Sequence, residues 1–227
     1  MRCAILQPSY MPWRGYFHQI QKSDVFVFLD DVQFDKHGWR NRNRIKTANG
    51  SVWLTIPVAK KGNVADHIPI SEIDIVWERP WNAKHWQTIR QSYARAPHFA
   101  ATAALLEPFF AQRPARLADF TIDLTVALAG ALGLPTRFVR SSELLAVGSK
   151  TDRLIDLLRK VGARHYVSGP SAQSYIEPDK FAAAGITLEY MSYDYAPYPQ
   201  LHPPYDPQVS IIDLLFMLGP DAPRAIW

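Results

Sequence analysis

Residues 3–31, CAILQPSYMPWRGYFHQIQKSDVFVFLDD, decide the fold. The run CAILQ at 3–7 is short and apolar and reads as a buried strand. Pro8 and Pro12 then force a turn, and RGYFHQIQKS at 14–23 has the length of a short helix. DVFVFLD at 24–30 is rich in β-branched and aromatic residues, so it reads as a second buried strand. Strand, helix and strand in about 28 residues make one βαβ unit, which sets its strands parallel. Loops at the strands' carboxyl ends then carry the ligand site. Two such loops occur here, Gln7 to Trp13 and Asp30 onward.

The pattern continues along the chain. SVWLTIPVAK at 51–60 and HIPISEIDIV at 67–76 read as strands. A helical stretch follows, in which Trp81, His85, Ile89 and Tyr93 share a face at a spacing of four. TAALLEPFFAQR is a second helix that Pro108 must kink or split. The next helix is the clearest, with Leu117, Phe120, Leu124, Leu128 and Leu132 as its stripe and Gly133 as its stop. PTRFVRSSEL, RHYVSG and ITLEYMSYDY then read as strands, separated by helices in SKTDRLIDLLRKVGA and EPDKFAAAG. YAPYPQLHPPYDPQ is irregular, and VSIIDLLFMLG closes the chain as a helix. The expectation is one α/β domain over 1–227, with a mostly parallel Rossmann-like sheet flanked by helices. A helical insertion falls at about 80–133, and a nucleotidyltransferase-like topology is one form the sheet can take.

The totals narrow the class. A chain of 227 residues that is 48% apolar can bury a sizeable core and is no disordered tail. Cys3 is the single cysteine, which excludes an intramolecular disulfide and a cysteine zinc cage. No signal-peptide apolar region and no run of about eighteen apolar residues occurs. A cytoplasmic protein without a membrane span is expected. The net charge of +4 suits an anionic partner but is too mild for a nucleic-acid binder. Much of it is local, in Lys36, Arg40, Arg42, Arg44 and Lys46.

The long block ILQPSYMPWRGYFHQIQKSDVFVFLDDVQFDKHGWRNRNRIK, from Ile5 to Lys46, resembles the opening signature of the WbqC-like family. That family is found among bacterial O-antigen and other surface-polysaccharide genes. The likeness continues in WLTIPV, WNAKHWQTIRQSY, RHYVSGPSAQSYI and YPQLHPPYDPQVSIIDLLFMLG, and so spans nearly the whole chain. Many members carry a His before the Gln-Pro pair, where Leu6 stands here. The resemblance implies a sugar-modifying enzyme, with glycine or acyl transfer onto an amino sugar held as a nucleotide conjugate. The donor would be an acyl thioester, free or on an acyl carrier protein, or an acyl group activated with ATP; no cofactor is otherwise implied.

Individual constellations fit that chemistry, each beside a plainer reading. Asp30 and Asp31 follow a strand, so one carboxylate suits a ribose hydroxyl or a metal and the other an amine proton. Equally, Asp serves as a turn residue or cap. Gln33, Lys36, Trp39, Asn41 and Arg42 cluster behind the pair and favour a functional reading. In an extended segment Arg40, Arg42 and Arg44 point one way and Asn41 and Asn43 the other. That comb can grip a diphosphate while Trp39 stacks on a base or covers a sugar, or it is a solvated edge strand.

Pro8 and Pro12 stiffen the first loop, which holds Gln7 and Tyr10 as donors beside Trp13, and Gly15 would let a phosphate approach backbone amides. A structural turn accounts for the same residues. His85, next to Lys84, is a candidate general base or a packed core residue. Ser168 and Gly169 follow a strand and can form an anion nest, with Tyr193, Tyr198 and Gln200 closing the pocket. The histidines show no metal-triad spacing. The leading expectation is therefore an acyl or aminoacyl transferase with Asp30, Asp31 and His85 as proton acceptors. An adenylate-forming or nucleotidyl-transfer enzyme is the second reading, and a non-enzymatic anion or carrier-protein binding module the third. All rest on the two loops converging on one cleft.

Overall fold

The computed structural model describes residues 1–35, 37–59 and 67–227. Strand β1 (Arg2–Leu6), helix α1 (Arg14–Gln21) and strand β2 (Val25–Phe28) form the opening βαβ unit. A hairpin follows, β3 (Arg42–Thr47) and β4 (Gly50–Thr55), and then helices α2 (Trp81–Tyr93), α3 (Phe99–Ala111) and α4 (Leu117–Ala131). The chain re-enters the sheet as β5 (Arg137–Arg140) and continues through α5 (Ser141–Leu144) and α6 (Lys150–Lys160) to β6 (His165–Ser168). Helix α7 (Pro178–Ala183), β7 (Thr187–Tyr190) and α8 (Ile211–Leu218) complete it.

Five strands make one sheet in the order β5-β2-β1-β6-β7, every pairing parallel. The chain builds outward from β1 to β2 and β5, then returns to the other side of β1 for β6 and β7. This is a Rossmann-like α/β sheet, and its order reverses between β1 and β6. A crevice opens outside the carboxyl ends of the two strands at such a point, because their connections leave toward opposite faces.

Both faces of the sheet are covered, so β2 is buried at every position. Ala4, Phe26, Phe28 and Val167 point into a core shared with Phe17 and Ile20 of α1, Leu124 of α4 and Phe216 of α8. Cys3, Ile5, Val25, Val27 and Tyr166 point the other way, onto Leu158 of α6 and Phe181 of α7. Each fully buried aliphatic or aromatic side chain contributes roughly 1.5–3 kcal/mol. No helix among the described residues is long and apolar enough to cross a membrane.

The β3–β4 hairpin is a separate two-stranded sheet that closes tightly, with Thr47 paired to Gly50. Gly50 sits at φ +99°, a conformation glycine adopts without a side-chain clash. Asn41 and Asn43 on its inner side are buried while Arg42 and Arg44 face outward, the alternation expected of an extended segment. After β7, residues 191–210 form no helix or strand and run as a strap across the molecule. Arg14 staples that strap, donating to the carbonyls of Ala196 and Ala225 and to the Tyr205 hydroxyl. Tyr198 and Tyr93 both donate to the buried Asp213 carboxylate of α8.

Local differences from the sequence reading have simple causes. The expected strand at 67–76 is three isolated bridges, at Pro69, Asp74 and Ile75, around a 3₁₀ turn at Ile70–Glu72. The apolar residues step by three between Ile70 and Ile73, a spacing that a 3₁₀ turn satisfies and a strand does not. Helix α3 runs through Pro108 without a break; the proline withholds one amide from the Ala104 carbonyl, and the helix ends three residues later at Ala111. Strand β5 ends at Arg140, where Ser141 and Ser142 turn the chain into α5. The last residue of the expected 51–60 strand lies outside the described residues.

Candidate functional site

A cavity of about 410 Å³ lies at the β1–β6 switch point. Leu6, Gln7 and Ser9 leave β1 into one wall, and Gly169, Pro170 and Ser171 leave β6 into another. Trp13, Tyr16 and Gln19 reach it from the start of α1, and Tyr193 and Gln208 come from the strap. The hairpin side supplies Trp39, Arg40 and Asn43. A doubly wound sheet places its ligand in this crevice.

The walls are tied together from within. Asn43 Nδ2 donates to the carbonyls of Tyr10 at 3.0 Å and Met11 at 2.7 Å, which clamps the first loop to β3. Met11 is held at φ +43°, an uncommon conformation for a non-glycine residue. Strain of that kind persists only where surrounding bonds over-determine the backbone. Gln19 donates to the Val167 carbonyl at 2.8 Å and accepts from the Tyr193 hydroxyl at 3.0 Å, joining α1, β6 and the strap. Burial pushes the Tyr193 hydroxyl up to about 12, so it stays protonated as a donor at neutral pH. The Trp13 indole meets Tyr193 edge-on at 5.0 Å.

Arg40 stands apart from this bonded frame. Its guanidinium forms no hydrogen bond or ion pair with the described residues, and its Nε is buried without a partner. Burial pushes its pKa below the usual arginine value, against the pull of the Tyr16 hydroxyl and Asp35. Arg40 as a whole is half-buried, but a buried guanidinium N–H without an acceptor is costly unless something outside the chain completes it. The Gln7 side-chain amide, on the same cavity, also makes no hydrogen bond to the described residues. The Gln7 carbonyl, by contrast, accepts from the Tyr16 hydroxyl at 3.1 Å.

Asp30 and Asp31 do not line this cavity. Asp30 is 0% exposed and accepts from the Ser142 amide at 3.0 Å and the Ser142 hydroxyl at 2.9 Å. The Ser141 hydroxyl lies 2.5 Å from Asp31 Oδ1 and 3.1 Å from Asp30 Oδ1, and the other Asp31 oxygen pairs with Arg153. The acids thus cap α5 and anchor α6. The expected shared cleft is corrected by strand order: the outer neighbour of β2 is β5, so the loop after β2 meets Ser141 instead of the switch point.

His85 is also elsewhere. It is buried beneath the first loop with Nδ1 3.0 Å from the Tyr10 hydroxyl, and burial lowers its pKa to about 4 despite a hydrogen bond with the Thr55 backbone. Tyr10 is spent on this contact instead of on a ligand carbonyl. A histidine protonated near pH 6.5 when unfolded and near 4 when folded stabilises the protein fully above pH 6.5. That stability is lost as pH falls toward 4 and amounts to roughly 3 kcal/mol at most. Urea unfolding at pH 7 and pH 4.5 should therefore show a steeper loss in the wild type than in His85→Gln, and equal losses would refute the assignment.

The remaining expected positions divide cleanly. Gln7, Trp13, Trp39, Asn43, Gly169 and Tyr193 line the cavity. Arg42 donates to the carbonyls of His37 and Gly38, and Arg44 to Gln208, so both are engaged on the outer face. Asn41 holds the Ile56 carbonyl, Gln33 meets His67 at 2.9 Å, and Lys84 is exposed on α2. Ser168 is buried against Tyr166, while Tyr198 donates to Asp213 of α8 and Gln200 to the Asp206 carbonyl within the strap. Lys36 lies outside the described residues.

Gly15 does not admit a phosphate. A Cβ there would lie 2.3 Å from the Trp13 indole, so the glycine makes room for that ring over the helix start. Ser9, Tyr16, Gln19, Ser171 and Gln208 were not anticipated as lining residues. Only Tyr16 and Gln19 carried a local signal, their i, i+3 spacing on one side of α1. No group of three His, Cys, Asp or Glu side chains able to hold a metal occurs among the described residues.

Comparison with known proteins agrees with the opening signature. An uncharacterized protein of Mycobacterium tuberculosis (strain H37Rv), Rv1507c, is 40% identical over 224 residues, covering 98% of this chain and 96% of its own. No solved structure matches. The model of the WbqC-like protein family matches residues 7–225, which include every lining residue of the cavity except Leu6. By this match and by its relative, the chain belongs to the WbqC-like protein family.

Proposed function

We propose that the protein is a transferase that moves an acyl or aminoacyl group, such as glycyl, onto an amine of a small anionic substrate. The observation carrying this reading is Arg40, a guanidinium without a bonded partner on the wall of a switch-point cavity. A guanidinium matches phosphate through paired donors. A nucleotide-linked amino sugar suits the rest of the wall. Its phosphate would meet Arg40, its hydroxyls the free amide of Gln7 and the Ser171 hydroxyl, and its carbon faces Leu6, Pro12 and Trp13. Surface-polysaccharide or related biosynthesis is the setting that the family resemblance implies.

The donor in this reading is an acyl thioester, free or on a carrier protein. The amine nitrogen attacks the thioester carbonyl, the C–N bond forms as the C–S bond breaks, and the proton leaving nitrogen ends on the departing thiolate. No protein nucleophile is required, and no carboxylate or imidazole of the described residues lines the cavity. The protein would act by holding amine and carbonyl together and excluding water. Incubation with nucleotide-linked amino sugars and acetyl or glycyl thioesters should yield an N-acylated sugar by mass spectrometry. Absence of amide from every pairing, with the ligands bound, would overturn the transferase reading.

The strand order supports a second reading, adenylate formation or nucleotidyl transfer, since doubly wound sheets commonly hold nucleotides at this point. Pyrophosphate released from ATP in a magnesium-dependent manner would select it. A binding module without catalysis would show ligand affinity and neither product.

A further inference from the structure

We propose that Trp39 and Trp53 form a stacking platform for the nucleobase of a nucleoside-diphosphate ligand whose phosphates meet Arg40. This rests on the reading of the cavity as an anion site and adds the recognition at its mouth. The two indoles are 41% and 47% exposed, with ring centroids 5.2 Å apart and planes inclined by 33°. Trp39 lines the cavity directly before Arg40 in the chain. Behind it, the Arg42 guanidinium lies 4.7 Å over the Trp53 ring, held in place by the His37 carbonyl at 2.6 Å. Arg44 sits 5.6 Å from the same ring. The result is a layered column of guanidinium, indole and indole whose last ring borders the cavity.

Exposed apolar surface on this scale marks a contact site when it is contiguous with a pocket. The charge around it narrows the occupant. Arg42 and Arg44 lie over the Trp53 ring and Arg40 lines the cavity with Trp39, which favours a ligand carrying negative charge. Every nucleobase offers a π-face that stacks on an indole. Trp39 and Arg40 are consecutive, so a ligand gripped by both must carry a ring and an anion within the reach of neighbouring side chains. A nucleotide does so through its ribose.

Titration calorimetry on the full chain with UDP, ADP, inorganic pyrophosphate and maltose separates the cases. Both nucleoside diphosphates should bind about tenfold or more tightly than pyrophosphate, the gain expected of one base–aromatic stack. Trp39→Ala should remove that gain and leave pyrophosphate binding intact, and Trp39→Phe should restore part of it. Equal affinity for nucleoside diphosphates and pyrophosphate would overturn the platform while leaving the anion site standing. An equal loss for both ligands in Trp39→Ala also overturns it, as does tighter binding of maltose than of the diphosphates. If neither pyrophosphate nor any nucleotide binds, the anion site and the platform fall together.

Discussion

Arg40→Ala is expected to weaken pyrophosphate binding by roughly 10- to 100-fold, since a hydrogen bond to a charged group contributes about 1.5–3 kcal/mol. The same variant should melt at the wild-type temperature or above it. This pairing of effects follows from what Arg40 lacks. The side chain has no hydrogen bond or ion pair with the described residues to lose, and its Nε is buried without an acceptor. Removing a half-buried guanidinium whose buried Nε has no acceptor breaks no internal bond and relieves a desolvation cost. A structural arginine behaves in the opposite way: Arg14 donates to two carbonyls and a tyrosine hydroxyl, and its loss would loosen the strap. Calorimetry and a melting curve on Arg40→Ala therefore decide the matter together. Unchanged affinity, or a clear fall in melting temperature, would remove Arg40 from the binding site.

Asp30→Ala should have the largest effect on stability, a loss of about 3 kcal/mol or more. The substitution removes a fully buried acceptor, stranding the half-buried amide and hydroxyl of Ser142 and taking one acceptor from the buried Ser141 hydroxyl. A buried donor left unsatisfied costs about 1–3 kcal/mol, and more when its partner was charged. It also detaches β2 from the start of α5, where the loss of a cap adds to the damage. Asp30→Asn keeps one acceptor oxygen and should lose less. Activity per folded molecule should survive in Asp30→Asn and Asp31→Asn, because neither side chain lines the cavity. Urea unfolding together with a turnover assay at low temperature tests both halves. Abolished turnover with an unchanged unfolding midpoint would return the two acids to the chemistry.

Much of this architecture was legible in the residues themselves. The alternation of VFVF in β2 and the spacing of Leu117, Leu124 and Leu128 in α4 depend only on local backbone period. So does the separation of Asn41 and Asn43 from Arg42 and Arg44 across β3. A βαβ unit also demands parallel strands whatever surrounds it, so the α/β class and the first loop's place in the site followed from residues 3–31.

Strand order was a different kind of question. Whether β2 ends beside β5 or beside β6 depends on how distant segments pack, and no local period records it. That one choice moved Asp30 and Asp31 onto Ser141 and Arg153, and left the switch point to β1 and β6. The same holds for Arg40. Its sequence neighbours made it one tooth of an arginine comb, yet it falls in a bend ahead of β3, outside the alternation that turns Arg42 and Arg44 outward. Local chemistry determined which side chains are able to bind an anion. Long-range packing decided which of them was left without a bonded internal partner, because a guanidinium is open to a ligand only where the fold brings no acceptor within hydrogen-bonding distance.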